Sequence, residues 1–376
     1  MTSPLKLFIL AGEPSGDRIA ADLVARLRQR VTLSLSGVGG DELAAQGLAS
    51  LYPMGDLSVM GISDVLKRLP LLLWRVEQTA RAIRAGRPDI VVLVDAQDFS
   101  KLVAKRLKGL GHVGPVILYG APTVWARAPE RAAKLTPLFD EVLAVLPFEP
   151  AVMAKLNGPP TSYVGHPALA EVLERMAPVE RGPLILLPGS RDGELRRHLP
   201  LFREVVAALA DHPAINGVVI PTLPALAERI EATVADWPVK VSVVSARADR
   251  RALYGKAVVA LSVAGTATLE LALARLPMVV SYVMDSHQAR VFDKIGRPVV
   301  SLPNIILGRP QVTELVQSQP DAKAMVASLL DLLDNKKARQ DQIAAFGELA
   351  QLMESGTADA PRQDPADRVL SHWTGV

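Results

Sequence analysis

The chain has 376 residues, 49% hydrophobic and 22% charged, with 42 Lys plus Arg against 39 Asp plus Glu, a formal charge of +3, and no cysteine. That length exceeds what one core usually serves and implies two domains, and the composition excludes a disordered chain. Disulfides, thiolate zinc sites and a cysteine nucleophile are excluded outright, and so small a net charge gives no sign of a nucleic-acid partner.

Residues 5–10 (LKLFIL) read as a first strand, too short and wrongly flanked for a signal peptide. The loop AGEPSGD at 11–17 follows it and opens a helix, so backbone N–H groups near Ser15 and Gly16 can face an anionic group; a purely structural glycine turn is the alternative. VTLSLSG at 31–37 is the second strand and leads into Gly39 and Gly40, where the same two readings stand. From Leu57 to Trp74 the apolar residues Val59, Met60, Ile62, Val65, Leu66, Leu69, Leu71, Leu72 and Leu73 exceed what one buried helix face requires. Pro70 is expected to start a second helix there. With Lys67, Arg68 and Arg75 this segment is basic and amphipathic, which suits docking on an anionic membrane surface; ordinary core packing is the alternative.

DIVVLVD at 89–95 places Asp95 at the carboxyl end of a strand, where a carboxylate can serve as a general base. Asp98 instead suits the N-cap of a helix beginning near Phe99. PVILYG, EVLAVL and TSYVG complete a first strand series, and Trp125, between the first two of these, is either cleft lining or loop core. A second series follows: PLILLP, GVVIP, VKVSVVS, VVALSV, PMVVSYV and PVVSLP at 298–303. In LLPGSRDGE at 186–194, Arg191 can hold a diphosphate through paired charge-assisted bonds, and Glu194 reads as a first-turn helix acid. In SVAGTATLE at 262–270, Gly265, Thr266 and Ala267 open a helix whose amides suit phosphate; Glu270 suits ribose hydroxyls or is a plain surface acid. Strands alternating with helix-length stretches imply an α/β protein of two doubly wound Rossmann-like domains, 1–170 and 171–345, with a helical tail at 346–376 returning to the first. No HExxH, GxSxG, P-loop or paired CxxC motif occurs.

Taken in order, AGEPSGD, GVGG, LSVMGISDVL, VDAQDF, PTVWA, LPFEP, VGHP, LLPGSR, GTATLELAL, PMVVSY and SLPNIILGR resemble the lipid-A-disaccharide synthase family. The resemblance implies a GT-B fold with its two domains facing a cleft. It also implies an inverting transfer from a UDP-2,3-diacylglucosamine donor to the 6-hydroxyl of 2,3-diacylglucosamine 1-phosphate. The products would be the β-1,6-linked disaccharide 1-phosphate and UDP, formed without cofactor or metal. On this resemblance Asp95 is the catalytic base, Ser15 and Gly16 lie on the acceptor side, and Arg191, Glu270 and Asn304 are substrate-binding. The implied location is cytoplasmic, peripheral at the inner face of the cytoplasmic membrane. Gln97, Ser100, Ala121, Arg127 and Ala264 depart from the family pattern. The competing readings are another GT-B UDP-sugar enzyme, such as a hexosamine epimerase or lipid-intermediate glycosyltransferase, and a catalytically silent nucleotide-sugar-binding protein.

Overall fold

The computed structural model describes residues 3–57, 62–126, 128–171, 179–294, 296 and 298–374. The chain forms two compact units, 1–167 with 355–376 and 168–354, where the sequence reading placed the divisions after 170 and 345.

The first unit is built on strands β1 (Leu5–Ala11), β2 (Leu33–Val38), β3 (Ile90–Val94), β4 (Val116–Tyr119), β5 (Glu141–Ala144) and β6 (Thr161–Tyr163). All pair in parallel, in the order β2-β1-β3-β4-β5-β6. Its helices before the tail are α1 (Pro14–Arg28), α2 (Asp41–Ala45), α3 (Ile62–Gly86), α4 (Gln97–Gly109) and α5 (Glu149–Lys155). Because helices cover both faces, a central strand is apolar at every position and not only at alternate ones, and β3 is buried throughout. On one face Phe8, Leu10, Val91 and Leu93 pack with Ile83, Phe99 and Val103. On the other Leu7, Ile9 and Val92 pack with Leu23, Val24 and Leu27.

The second unit has β7 (Gly182–Leu187), β8 (Ile215–Pro221), β9 (Val241–Val244), β10 (Val259–Ser262), β11 (Met278–Val283) and β12 (Thr313–Gln317), parallel in the order β12-β11-β10-β7-β8-β9. Its helices are α6 (Ala168–Glu171), α7 (Asp192–Leu209), α8 (Pro224–Val234), α9 (Arg247–Lys256), α10 (Thr266–Leu273), α11 (Ser286–Lys294), α12 (Leu302–Leu307), α13 (Ala322–Asp334) and α14 (Lys336–Ser355).

Two expectations are corrected here. PVVSLP is not a strand: Leu302 and Pro303 open α12, and the sheet's last strand is the more polar TELVQ. Pro303 sits in the first turn, where a missing N–H costs no helical bond. Pro70 does not start a helix either, because α3 runs continuously through it. The helical bonds on either side, and the packing of Leu72, Val76, Ala80 and Ile83 beyond it, outweigh the one bond Pro70 cannot make. Pro200 lies inside α7 in the same way.

The tail returns to the first unit as α15 (Pro365–Leu370). Asp364 caps it by accepting from Ala366 N at 2.8 Å and pairs with Arg26 and Arg30 at 3.0 and 3.1 Å. Buried Glu141 accepts from the Arg368 guanidinium at 2.8 and 3.0 Å and meets His372 Nε2 at 2.6 Å. Gly165 has φ +92°, and a Cβ there would stand 2.6 Å from Arg362 Nε, so the strap passes where only glycine leaves room.

The glycine turn after β2 is structural. Asp17, 2% exposed on α1, accepts from Gly40 N at 2.8 Å and Glu42 N at 2.9 Å, so one carboxylate caps α2 and fixes the turn. A Cβ on Gly40 would lie 2.8 Å from Asp17 Oδ2. Asp17→Asn turns one acceptor into a donor facing an N–H, so chemical denaturation should show a loss of about 1–3 kcal/mol. An unchanged midpoint would mean that the turn holds without this cap.

Candidate functional site

In the first unit the strand order reverses between β1 and β3, and the loops beyond those two strands meet. A Cβ on Gly16 would lie 3.4 Å from Asp95 Cβ, and one on Gly12 would lie 2.6 Å from Ala96 Cβ. Gly16 and Asp95 are therefore brought together, with Ser15 exposed beside them at the start of α1. Asp95 and Ala96 both have positive φ, 53° and 43°, a strained pair that ends β3 abruptly. The bend is held by Asp95 N donating to Tyr119 O at 2.8 Å and Ser100 Oγ donating to Asp95 O at 2.8 Å. Ser100 and Gln97, two departures from the family pattern, thus have local roles; Gln97 Nε2 donates to Gly120 O at 2.6 Å. Burial pushes the Asp95 carboxyl above its usual range, partly offset by a hydrogen bond from the Ala96 backbone. Asp98 is not an N-cap: α4 begins at Gln97, and the exposed Asp98 pairs with Arg131 at 3.1 Å.

In the second unit the reversal falls between β7 and β10, and here again two candidate loops adjoin. Leu187 pairs with Ser262, and Val263 N donates to Leu187 O at 2.9 Å, so the Arg191 and Gly265 loops leave the sheet side by side. Arg191 is the N-cap residue of α7, with its side chain 76% exposed. Glu194 is more than a first-turn acid. Its buried carboxylate accepts from Ser190 N at 3.1 Å, Arg191 N at 3.3 Å and Arg191 Nη1 at 2.9 Å, fixing both loop and guanidinium. Gly189, at φ +99°, is required here, since a Cβ would stand 2.4 Å from Glu194 Oε2.

Gly265 caps α10, and nothing lies within 4 Å of where its Cβ would be; Gly265 and Thr266 are exposed and Ala267 half-buried. Thr268 Oγ1 donates to Gly265 O at 2.8 Å and holds the first turn. The helix thus opens with its first amides at the surface, the arrangement that receives phosphate. Glu270 is half-buried one turn further on.

Asn304 lies on α12, which packs against α10. It is 2% exposed and its amide is fully engaged, donating to Val312 O and Glu314 Oε1 at 2.8 Å and accepting from Gln311 N and Val312 N at 2.7 and 2.8 Å. These bonds make the side chain a clamp that ties α12 to β12.

Along α3, Leu69, Leu73 and Trp74 are 40%, 50% and 55% exposed, while Leu72 packs into the core. Arg75 is not offered to a surface: it binds Asp56 at 2.5 Å and lies between the Tyr52 and Trp74 rings at 4.4 and 4.2 Å. Residues 58–61, Arg127 and the side chains of Ile62, Val65, Leu66 and Lys67 fall outside the described residues. Among the described residues no helix is long and apolar enough to cross a membrane.

The family model described as Lipid-A-disaccharide synthetase matches residues 7–363. The chain belongs to the lipid-A-disaccharide synthase family. The synthase of Rhodopseudomonas palustris strain BisB18 is 38% identical over 97% of this chain and 95% of its own length, and that of Rhodospirillum centenum 38% over 98% and 94%. Solved structures share the fold at much lower identity. The Staphylococcus aureus MnaA–UDP co-structure has a TM-score of 0.61 at 12% identity, covering 94% of this chain and 96% of that one. Acinetobacter baumannii MurG has 0.52 at 17%, covering 93% and 99%. These likenesses show two Rossmann-like domains of the GT-B type, while the curated relatives favour a synthase over an epimerase.

Two buried titratable groups escaped the sequence reading. Glu149, in LPFEP beyond β5, is buried, and burial lifts its carboxyl to about 7. An acid one residue after an apolar strand-end turn was the available signal. His198 is also buried, with Nε2 accepting from Val283 N at 3.0 Å and Nδ1 facing Glu194 O at 2.8 Å. Since Nε2 must keep its lone pair, the ring is neutral with its proton on Nδ1. Burial lowers its pKa, so below about pH 6.5 the unfolded chain gains a proton that the folded one resists. The contribution is complete above that pH and lost as pH falls toward the lowered value. Thermal melts from pH 7 to 5 should show a smaller acid loss in His198→Gln than in the native protein. Equal losses would remove His198 from the pH dependence.

Proposed function

We propose that this protein transfers the acylated glucosamine of UDP-2,3-diacylglucosamine to the 6-hydroxyl of 2,3-diacylglucosamine 1-phosphate, forming the β-1,6-linked lipid A disaccharide 1-phosphate and UDP. The observation that carries this reading is a family match spanning both units. In support, each sheet has its candidate residues at the reversal of its strand order. The Asp95 carboxylate takes the proton of the acceptor's 6-hydroxyl. The freed oxygen attacks the anomeric carbon from the face opposite the diphosphate, and the bond from that carbon to phosphate oxygen breaks, its electron pair leaving with UDP. Arg191 and the first amides of α10 receive the diphosphate charge, and Glu270 takes the ribose hydroxyls. Ser15 and Gly16 border the acceptor beside Asp95.

Incubating the protein with both acylated substrates should give disaccharide phosphate and UDP by mass spectrometry. Formation of an epimerised nucleotide sugar without acceptor would reject this reading. Asp95→Asn should slow turnover by about 10² to 10⁴-fold with little change in UDP affinity. Arg191→Ala should weaken UDP binding about tenfold or more. In the native protein, turnover should fall as pH drops through a value above the ordinary carboxylate range, because the base works only when ionised.

The protein works at the inner face of the cytoplasmic membrane, held peripherally through the apolar stripe Leu69, Leu73 and Trp74 with exposed Arg68 beside it. Leu69→Ser combined with Leu73→Ser spares both the Arg75 stack and the Leu72 core contact. The double variant should lose co-sedimentation with anionic vesicles while Tm stays put. Undiminished sedimentation would remove α3 from membrane binding.

A further inference from the structure

Among its described residues the loop after β4 has no regular element until Pro129, and it begins beside the Asp95 bend, where Asp95 N donates to Tyr119 O. Its first residue, Gly120, receives Gln97 Nε2 at 2.6 Å, and Val124 shares a cluster with Phe99. Further along, Trp125 is half-buried, with its ring set edge-on to Phe148, centroids 5.4 Å apart at 83°. Its indole N–H points at Glu149 Oε1, 3.4 Å away. Glu149 is 2% exposed, and its other oxygen accepts from Val145 N at 3.2 Å and Leu146 N at 3.0 Å. A buried carboxylate at the carboxyl edge of β5 is thus joined through one indole to the loop bordering Asp95.

We propose that Glu149 is a positioning residue: its carboxylate anchors Trp125, and the anchored loop forms the acceptor-side wall next to Asp95. This rests on the reaction assigned above. The physical reason is one of acceptors. An ionised carboxylate can receive both backbone N–H groups and the indole N–H; an amide must turn its NH2 toward one of them, and protonation leaves a hydroxyl that accepts more weakly. Burial makes the balance titratable, lifting the carboxyl to about 7. The Tyr163 phenol on β6 interacts with it electrostatically, and burial holds that phenol neutral far above this pH. As pH falls through about 7 the charge-assisted bond to the indole therefore weakens, and the loop loosens.

The test separates the anchor from the reaction. In a variant with Trp74, Trp237 and Trp373 replaced by Phe, Trp125 is the sole tryptophan, and its emission should shift with a midpoint near pH 7. Adding Glu149→Gln should abolish the transition. In steady-state assays on the otherwise native chain, Glu149→Gln should raise the acceptor KM about tenfold or more with UDP affinity unchanged. Trp125→Phe, which keeps an aromatic side chain but removes the pyrrole ring with its N–H, should reproduce the KM effect even if Glu149→Gln folds poorly. A persistent emission transition without any disaccharide synthesis would overturn the assigned reaction and leave the anchor standing. A Trp125→Phe enzyme with native acceptor KM, or an emission transition that survives Glu149→Gln, would overturn the anchor.

Discussion

In a parallel sheet the strand order can reverse only where successive crossovers leave toward opposite faces, and there no helix covers the carboxyl ends. This protein meets that constraint twice, between β1 and β3 and between β7 and β10. Gly16 with Asp95, and Arg191 with the Gly265 turn, lie at those two points and not elsewhere along the sheet edges. The crossover geometry selects which loops can carry chemistry. The aliphatic strands beneath make that geometry rigid.

Several loops are held by buried or half-buried carboxylates whose oxygens accept backbone N–H groups. Asp17 holds the turn after β2, Glu194 the loop after β7, and Glu149 the turn after β5. Glu314 does the same for Val300 and Ser301. Desolvating a carboxylate is costly, and the donors it gathers offset that cost while fixing the loop in one conformation. Glycine recurs opposite them, at Gly40 and Gly189, because a Cβ would occupy the space of the carboxylate. These acids and glycines form one device, although they stand far apart in the chain.

The helix α3 shows how one amphipathic segment divides its residues between two purposes. Leu72 faces the core, Leu69, Leu73 and Trp74 face outward, and Arg75 is neutralised by Asp56 between two aromatic rings. Composition identified the segment as apolar and basic. The rotation of the helix decided which of its residues remain at the surface.

The aliphatic runs of the central strands, and their alternation with helices, made the two doubly wound domains legible from the sequence, because a strand buried on both faces must be apolar at each position. The motif order likewise identified the family, and with it Asp95, Arg191 and the Gly265 turn as the residues to examine. The signal failed where burial is partial. TELVQ at the sheet edge is too polar to read as a strand, whereas PVVSLP is apolar enough to read as one but leads into a helix. Sequence could not tell that Asn304 is saturated by β12, that Arg75 is spent on Asp56, or that Glu149 stands under Trp125. Each of these depends on which groups meet across long stretches of chain. A motif names a residue and its neighbours in sequence, but the partners that consume or activate a side chain are set only when the sheet brings its strand ends together.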